Sequence, residues 1–428
     1  IPAGERGRSL LNPNSLQPLQ VQRSSSSAQV ERALCSAARA HDTAEWENTS
    51  AEQRAAVLER VADTLRDSAL VEEMARSDAL TTGAVITVTR GLARLAHLSF
   101  RAAARYLREG HLERRLPGKY GEVEYYRRPW GPALLVSPWN GPTAIGSHKI
   151  ASALAAGAPC IAKPSEWAPH SAVLMAQAIH DIGLPRGTFQ LTCGSRVIGA
   201  QMVSDPRIAA ISFTGGTAGG QAVSRACAER FTPQQLELGG NNPLVVFADA
   251  DLEAAAEGIT YGLSNLNGQW CRALGRLIVH RAVVAELLER VSERLGQLRL
   301  GDSMDEKSQM GPLIHRAQYD SVLKELMRLE SAGGTLLQNT PLPDLPGYFV
   351  PPTLVEGCSP ADTREEIFGP VACVHEFDTP EQAQQLANGT AYGLMAYIYS
   401  RDEQSAFAFA RRLRTGGVKI NGYSLLSL

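Results

Sequence analysis

The sequence is poor in lysine: six of its 42 basic residues are lysine and the rest arginine. Against 44 acidic residues this leaves a net charge of −2. No electrostatic footprint for nucleic acid or an anionic membrane surface is present. No C-x-x-C pair and no H-E-x-x-H stretch occurs, and the seven cysteines are odd in number and widely spaced. That excludes a disulfide framework and a zinc knuckle, and predicts a reducing, cytoplasmic setting with no bound metal. No apolar run approaches the ~20 residues a helix needs to cross a bilayer. The opening "IPAGERGRSLLNPNSL" has no signal-peptide core.

What is present is ordinary in amount: 44% hydrophobic and 20% charged residues in a chain of 428. Single cores stop growing at about 250–300 residues, so two domains are expected. Residues 1–27, rich in Pro, Asn, Gln and Ser, read as extended surface chain. Thr49 and Glu52 form a capping box ahead of "QRAAVLERVADTLRD", and helical spacing continues to about Glu109. "HLERRLPGKYGEVEYYRRPW" changes period and reads as a protruding hairpin with polar strands. Such a ribbon is marginal alone, which predicts packing on a second copy of the chain. From Gly131 strands alternate with helices: "ALLVSP", "PCIAKPS", "FQLTCG" and "IAAISFTG" are strands, each followed by a helical stretch. This predicts an α/β fold with a Rossmann-type parallel sheet. A second α/β set runs from "NPLVVFADA" to "GGVKINGY". The expected division is a cofactor domain from 1–110 and 131–239, an oligomerisation hairpin at 111–130, and a catalytic domain at 240–420. Residues 421–428 then begin a C-terminal segment.

Six stretches can carry chemistry. In "SPWNGP", between strand and helix, the Asn140 amide can donate to a developing oxyanion, though every residue there also suits a turn. "KPSE" ends a strand, where ligands of open α/β sheets bind. Lys163 can reach a phosphate or ribose, and Glu166 can accept from ribose hydroxyls and repel a 2′-phosphate. "FTGGTAGG" opens a helix and can cradle a pyrophosphate, although the G-x-G-x-x-G spacing is absent. In "LELGGNNP", Glu237 between leucines can have a raised pKa and act as a general base. In "GQWCRA", Cys271 follows a glycine-bearing turn beside Arg272, a setting suited to a thiolate. The other six cysteines read as small buried hydrophobes. "EEIFGPV" reads as a loop entering a strand.

In this order, with 23 positions from Asn140 to Lys163 and 34 from Glu237 to Cys271, the stretches resemble the aldehyde dehydrogenase superfamily over nearly the whole chain. The resemblance implies NAD-dependent oxidation of an aldehyde to a carboxylic acid, with NAD favoured over NADP. Cys271 would be the nucleophile, Asn140 the oxyanion donor and Glu237 the base that activates water. Trp139, Lys163, Ser165, Glu166, Gly215, Gly216, Thr217, Gly220, Leu238, Glu366 and Phe368 would contact the cofactor. Gly141, Ile145, His148, Trp270 and Arg272 would line the substrate tunnel. Three positions depart from the family's usual residues: Gly141 for an aromatic, Gly216 for a serine and Asn241 for a lysine. The first predicts a wide tunnel and a bulky or aromatic aldehyde; the third alters the charge near Glu237. The family continues past "NGYSLLSL" into a glycine-rich loop and a strand that pairs across subunits, and it implies a homodimer or homotetramer. Two alternatives stand beside this reading. One is a CoA-acylating relative, which would need no water-activating Glu237. The other is a catalytically silent protein of the same fold.

Overall fold

The computed structural model describes residues 5–423. The chain forms two compact α/β units. The first takes in the chain up to Leu11, Pro18–Thr82 and Thr89–Glu237; the second takes in Asn12–Gln17, Gly83–Val88 and the chain from Leu238 on. No compositional shift marks the two short excursions, and the hairpin region falls within the first unit.

In the first unit, β1 (Glu5–Leu11) and β2 (Pro18–Ser24) pair antiparallel. This corrects the expectation of extended chain over residues 1–27. The strands are too polar to show an apolar alternation. Leu10 and Gln22 are nevertheless buried, and the Gln22 amide donates to the Glu166 carbonyl at 2.6 Å. Five helices follow: α1 (Ser27–Thr43), α2 (Glu45–Asn48), α3 (Ala51–Leu65), α4 (Ser68–Thr82) and α5 (Ile86–Arg108). The cap of α3 lies one residue later than the sequence suggests. Ser50 and Gln53 make the reciprocal pair, while Thr49 closes α2 by donating its hydroxyl to the Glu45 carbonyl. Next, β3 (Glu113–Gly118) and β4 (Gly121–Tyr126) form a ribbon in which every residue is exposed.

The rest of the first unit alternates strictly: β5 (Ala133–Val136), α6 (Pro142–Ala155), β6 (Cys160–Lys163), α7 (His170–Ile182), β7 (Phe189–Leu191), α8 (Arg196–Val203), β8 (Ala210–Thr214), α9 (Thr217–Ala228) and β9 (Gln234–Glu237). The five strands are parallel, in the order β7-β6-β5-β8-β9. Leu134, Ile161 and Ile211 pack one face against Val30 and Leu34 of α1 and Val223 of α9. The order reverses between β5 and β8, and ligands of open sheets bind beyond the carboxyl ends at such a switch. The loops after β5 and β8 are those carrying Asn140 and Gly215–Gly216.

The second unit holds β10 (Asn242–Val246), α10 (Leu252–Ser264), β11 (Leu274–His280), α11 (Val284–Gln297), α12 (Arg316–Ser331), β12 (Thr335–Leu337), β13 (Thr353–Glu356), β14 (Val371–Phe377), α13 (Pro380–Ala387), β15 (Met395–Tyr399), α14 (Glu403–Ala410) and β16 (Gly417–Ile420). Its seven-stranded sheet has the order β12-β13-β14-β11-β10-β15-β16, and only β12 runs antiparallel to its neighbour. Such strands are buried on both faces, which is why "NPLVV" and "LGRLIVH" read as nearly continuous apolar runs. Among the described residues no helix is long and apolar enough to cross a membrane. The expected C-terminal segment lies, from residue 424, outside the described residues.

Candidate active site

Cys271 is half-buried in the turn between α10 and β11. The approach to it is strained. Leu266, Asn267 and Gly268 have φ of 48°, 58° and 70° in succession. A leucine in the left-handed region costs about 1–2 kcal/mol, so surrounding contacts must hold it there. They do. The Asn267 amide donates to the Gly83 and Pro312 carbonyls at 2.9 and 2.8 Å, and its oxygen accepts from Gly311 N at 2.8 Å. Gln269 accepts from Ile314 N at 3.1 Å. A Cβ on Gly268 would lie 2.4 Å from the Gly369 carbonyl carbon and Pro370 N. Asn-Gly-Gln before the cysteine is therefore scaffolding for the thiol.

Downstream, the Asn242 amide donates to the Cys271 and Ala273 carbonyls at 2.9 and 2.7 Å. Tyr397 and Tyr423 both donate to the Arg272 carbonyl, at 2.9 and 2.7 Å. Trp270 departs from its expected place in the tunnel wall. It is 2% exposed, and its ring meets Tyr261 and Tyr423 edge-on in the interior. An indole following a polar turn suggests a surface position, but the turn folds it under. Arg272 is half-buried.

Glu366 and Phe368 sit in the loop before β14, next to this turn in the same unit. Gly240 N donates to the Glu366 carboxylate at 2.9 Å, and a Cβ on Gly239 would lie 2.1 Å from Glu366 Oε2. A Cβ on Gly240 would meet the Cys271 carbonyl oxygen at 2.4 Å. The two glycines of "LELGG" are thus the room that Glu366 and the Cys271 main chain occupy. Burial pushes the Glu366 carboxyl up to about 7, with the Gly240 N–H pulling the other way. Phe368 has φ 55°, and its carbonyl accepts from the Gln318 amide at 2.8 Å. Asn241 is buried, and its amide donates to the Thr363 and Glu365 carbonyls at 2.9 and 3.3 Å. Its role is to fix the Glu366 loop, which the sequence could not reveal. All these groups gather at the amino ends of β10, β11 and β14, the end opposite to the one the general rule favours.

In the first unit the candidates gather at carboxyl ends. Trp139 and Asn140 are half-buried, Gly141 is buried and immediately precedes α6, Ile145 is half-buried and His148 exposed. A Cβ on Gly141 would touch only Ile145, at 3.5 Å. Lys163 is buried, its ammonium donates to the Pro164 carbonyl at 3.2 Å, and desolvation lowers its pKa. Ser165 and Glu166 are half-buried, and the Ser165 hydroxyl accepts from Trp167 N at 3.3 Å.

The glycine turn serves two purposes. Cβ atoms on Gly215 and Gly219 would lie 2.7 and 2.8 Å from the Phe213 ring, so these glycines admit that ring. Gly216 caps α9 without a side-chain acceptor, faces open space and is followed by exposed Thr217, whereas Gly220 is buried. An uncapped helix start with open space before it suits an anion, so this chain's residues fit a dinucleotide phosphate. Leu238, half-buried, opens the second unit.

Glu237 is exposed at the end of β9. Strand alternation sends Leu236 to the core and the carboxylate outward, so the flanking leucines do not enclose it, contrary to expectation. A polar chain reaches it that the sequence did not disclose. Lys149 Nζ donates to Ser212 Oγ at 2.6 Å, Ser212 Oγ donates to Gln235 Oε1 at 2.6 Å, and Gln235 Nε2 stands 3.4 Å from Glu237 Oε1. Burial lowers the Lys149 ammonium to about 8, while the Glu237 charge opposes that shift.

Of the other cysteines, Cys160, Cys227, Cys358 and Cys373 are buried, and burial holds Cys193 up at about 11. Cys35 differs from the expected packing role. It lies half-buried on α1, donating to Glu31 and accepting from Arg207, both at 3.1 Å.

Fold and site together define a two-unit α/β protein with a Rossmann-type sheet and a cysteine displayed at the amino ends of a second sheet. The chain belongs to the aldehyde dehydrogenase family, which it matches over residues 2–427. It is 36% identical over 403 residues to a betaine aldehyde dehydrogenase of Cereibacter sphaeroides, covering 93% of this chain and 82% of that one. It is also 36% identical over 311 residues to the peroxisomal aminoaldehyde dehydrogenase 1 of Malus domestica, covering 72% of this chain. The chain spans 62% of the length of that relative. Among solved structures, the NAD+ complex of betaine aldehyde dehydrogenase from Staphylococcus aureus superposes with a TM-score of 0.93 at 29% identity, covering 98% of this chain and 84% of that one. A putative aldehyde dehydrogenase from Burkholderia cenocepacia gives 0.92 at 34% identity, covering 97% and 88%.

Proposed function

We propose that this protein oxidises an aldehyde to a carboxylic acid with NAD. The observation that carries the reading is the Cys271 turn. A half-buried thiol follows a left-handed segment held by Asn267, its turn is fixed further by Gln269 and Asn242, and a half-buried glutamate of the same unit is bonded to Gly240 N. A packing cysteine has no need of such support.

In the proposed reaction the Cys271 thiolate attacks the aldehyde carbon, forming a C–S bond as the carbonyl pair moves to oxygen. The Asn140 amide and the Cys271 N–H donate to that oxyanion. The thiohemiacetal is oxidised to a thioester. Water, losing a proton to Glu237, attacks the thioester; the C–S bond breaks, releasing the carboxylic acid and restoring the thiol. NAD, when bound, supplies the two-electron acceptor for the oxidation. Gly216, Thr217, Lys163 and Glu166 would hold its phosphates and adenosine ribose, and Glu366 the other ribose. The lack of a side chain at Gly141, where a Cβ would meet only Ile145, supports a wide aldehyde, and the relatives' names support amino- and betaine-type aldehydes. The exposed ribbon, with Tyr120 and Trp130 among its bare aromatics, supports a homodimer or homotetramer.

The test is NADH production over short aliphatic, aromatic and amino-substituted aldehydes, with and without CoA, for the native chain and Cys271→Ala. Wide aldehydes are expected to turn over without CoA, and the alanine variant to be inactive. Full activity in Cys271→Ala would overturn the nucleophile, strict CoA dependence the hydrolytic step, and a preference for short aliphatics the wide tunnel.

A further inference from the structure

Asp78 is an anomaly in its own helix. It stands just before the last turn of α4, toward the end where the helix dipole disfavours a negative charge, and it is 3% exposed. What faces it is the start of two other helices. Thr143, the second residue of α6, donates its hydroxyl to Asp78 Oδ2 at 2.6 Å, and its N–H also donates to the carboxylate. Ser171, the second residue of α7, lies close to the same group.

Neither helix has a side-chain cap of its own. Gly141 precedes α6 and Pro169 precedes α7; each carbonyl accepts the first bond of its helix, but neither residue offers a side-chain acceptor. The opening N–H groups of a buried helix need acceptors. Asp78 supplies one from a third helix, and it does so two residues past Gly141 and three past Asn140. The first turn of α6 is where the chain leaves the loop that displays Asn140. With no side-chain acceptor at Gly141, the carboxylate is the side-chain group that fixes the angle at which that loop meets the helix.

We propose that Asp78 is a positioning residue for Asn140: by capping α6 from α4, it sets where the Asn140 amide points. The inference rests on the reading of Asn140 as oxyanion donor. The carboxyl is pushed up by burial to about 6, while Thr143, Ser171 and the Thr143 N–H draw it down. At neutral pH it is thus the ionised acceptor that a helix start favours.

The experiment is a double-mutant cycle on the full chain with Asp78→Asn and Asn140→Ala. It reads kcat/KM for the aldehyde, NAD affinity by fluorescence titration, and the rate of Cys271 alkylation. Asp78→Asn is expected to lower kcat/KM about 10- to 100-fold, the scale of a misplaced catalytic group. NAD affinity and alkylation should stay within about twofold of the native values, and Asp78→Asn should cost nothing further in the Asn140→Ala background. If Asp78→Asn lowers activity as much without Asn140 as with it, the role is general to the fold and the inference fails. If Asn140→Ala is itself harmless, the oxyanion reading fails first. Should Asp78→Asn not fold, Thr143→Val takes its place in the same cycle. Thr143→Ser, which keeps the hydroxyl, should then restore most of what Thr143→Val loses; failure to restore it overturns the inference.

Discussion

Asn242, the first residue of β10, donates its side-chain amide to the main-chain carbonyls of Cys271 and Ala273, and its oxygen accepts from Met395 N at 3.1 Å. One buried amide therefore ties the cysteine turn to two strands. Replacing it by the isosteric Asn242→Asp removes the donor and sets a carboxylate against two carbonyl oxygens. The expected loss is about 2–3 kcal/mol of stability, since buried groups left without partners cost about 1–3 kcal/mol. Urea denaturation measures it, and an unchanged midpoint would contradict the clamp.

The two glycines before β10 should respond differently to the same methyl group. In Gly239→Ala the methyl meets the far end of the Glu366 side chain, which can swing aside. In Gly240→Ala it meets the Cys271 carbonyl, which cannot move without the turn. The first variant should raise KM for NAD several-fold with a nearly native melting temperature. The second should lose both activity and about 2 kcal/mol or more, the scale of overpacking.

Glu366 titrates in the working range, so its contribution to stability depends on pH. Its folded pKa, about 7, lies above its value of 4.5 in the unfolded chain. The neutral form thus favours the fold below pH 4.5, and that advantage is lost as pH rises through 7. Glu366→Gln should be closest to the native protein in stability at pH 5 and gain on it by pH 8, by on the order of 1–3 kcal/mol. Thermal melts at the two pH values, alongside weakened NAD binding, measure this.

Lys149, through Ser212 and Gln235, gives Glu237 a charged neighbour that fades as pH passes about 8. In the native chain kcat should change across that pH. Lys149→Arg keeps the charge and should remove the inflection, whereas Lys149→Met should show the uncharged level at every pH. A native profile in Lys149→Met would exclude any influence on the reaction.

Much of the first unit was legible because its strands and helices are short and bounded by glycine and proline. "ALLVSP", "PCIAKPS" and "IAAISFTG" fall where β5, β6 and β8 lie. The turn that carries Cys271 was legible too, since a polar, glycine-bearing stretch ends the helix before it. What escaped notice depends on partners distant in sequence. Asp78 meets Thr143 across 65 positions, and Asn241 meets Thr363 across 122. Trp270 was misjudged because a local polar setting says nothing about which way a turn folds its neighbours. β1 and β2 were missed because their support is a glutamine reaching a carbonyl, which leaves no apolar pattern.

Asn267 is 1% exposed and spends both amide N–H groups and its oxygen on main-chain partners. Conversion of Asn267 to aspartate would exchange a donor shared by the Gly83 and Pro312 carbonyls for a negative oxygen facing both. The left-handed backbone there would lose its anchor in the same event. Any change that removes this amide should therefore disturb the cysteine turn and the fold together.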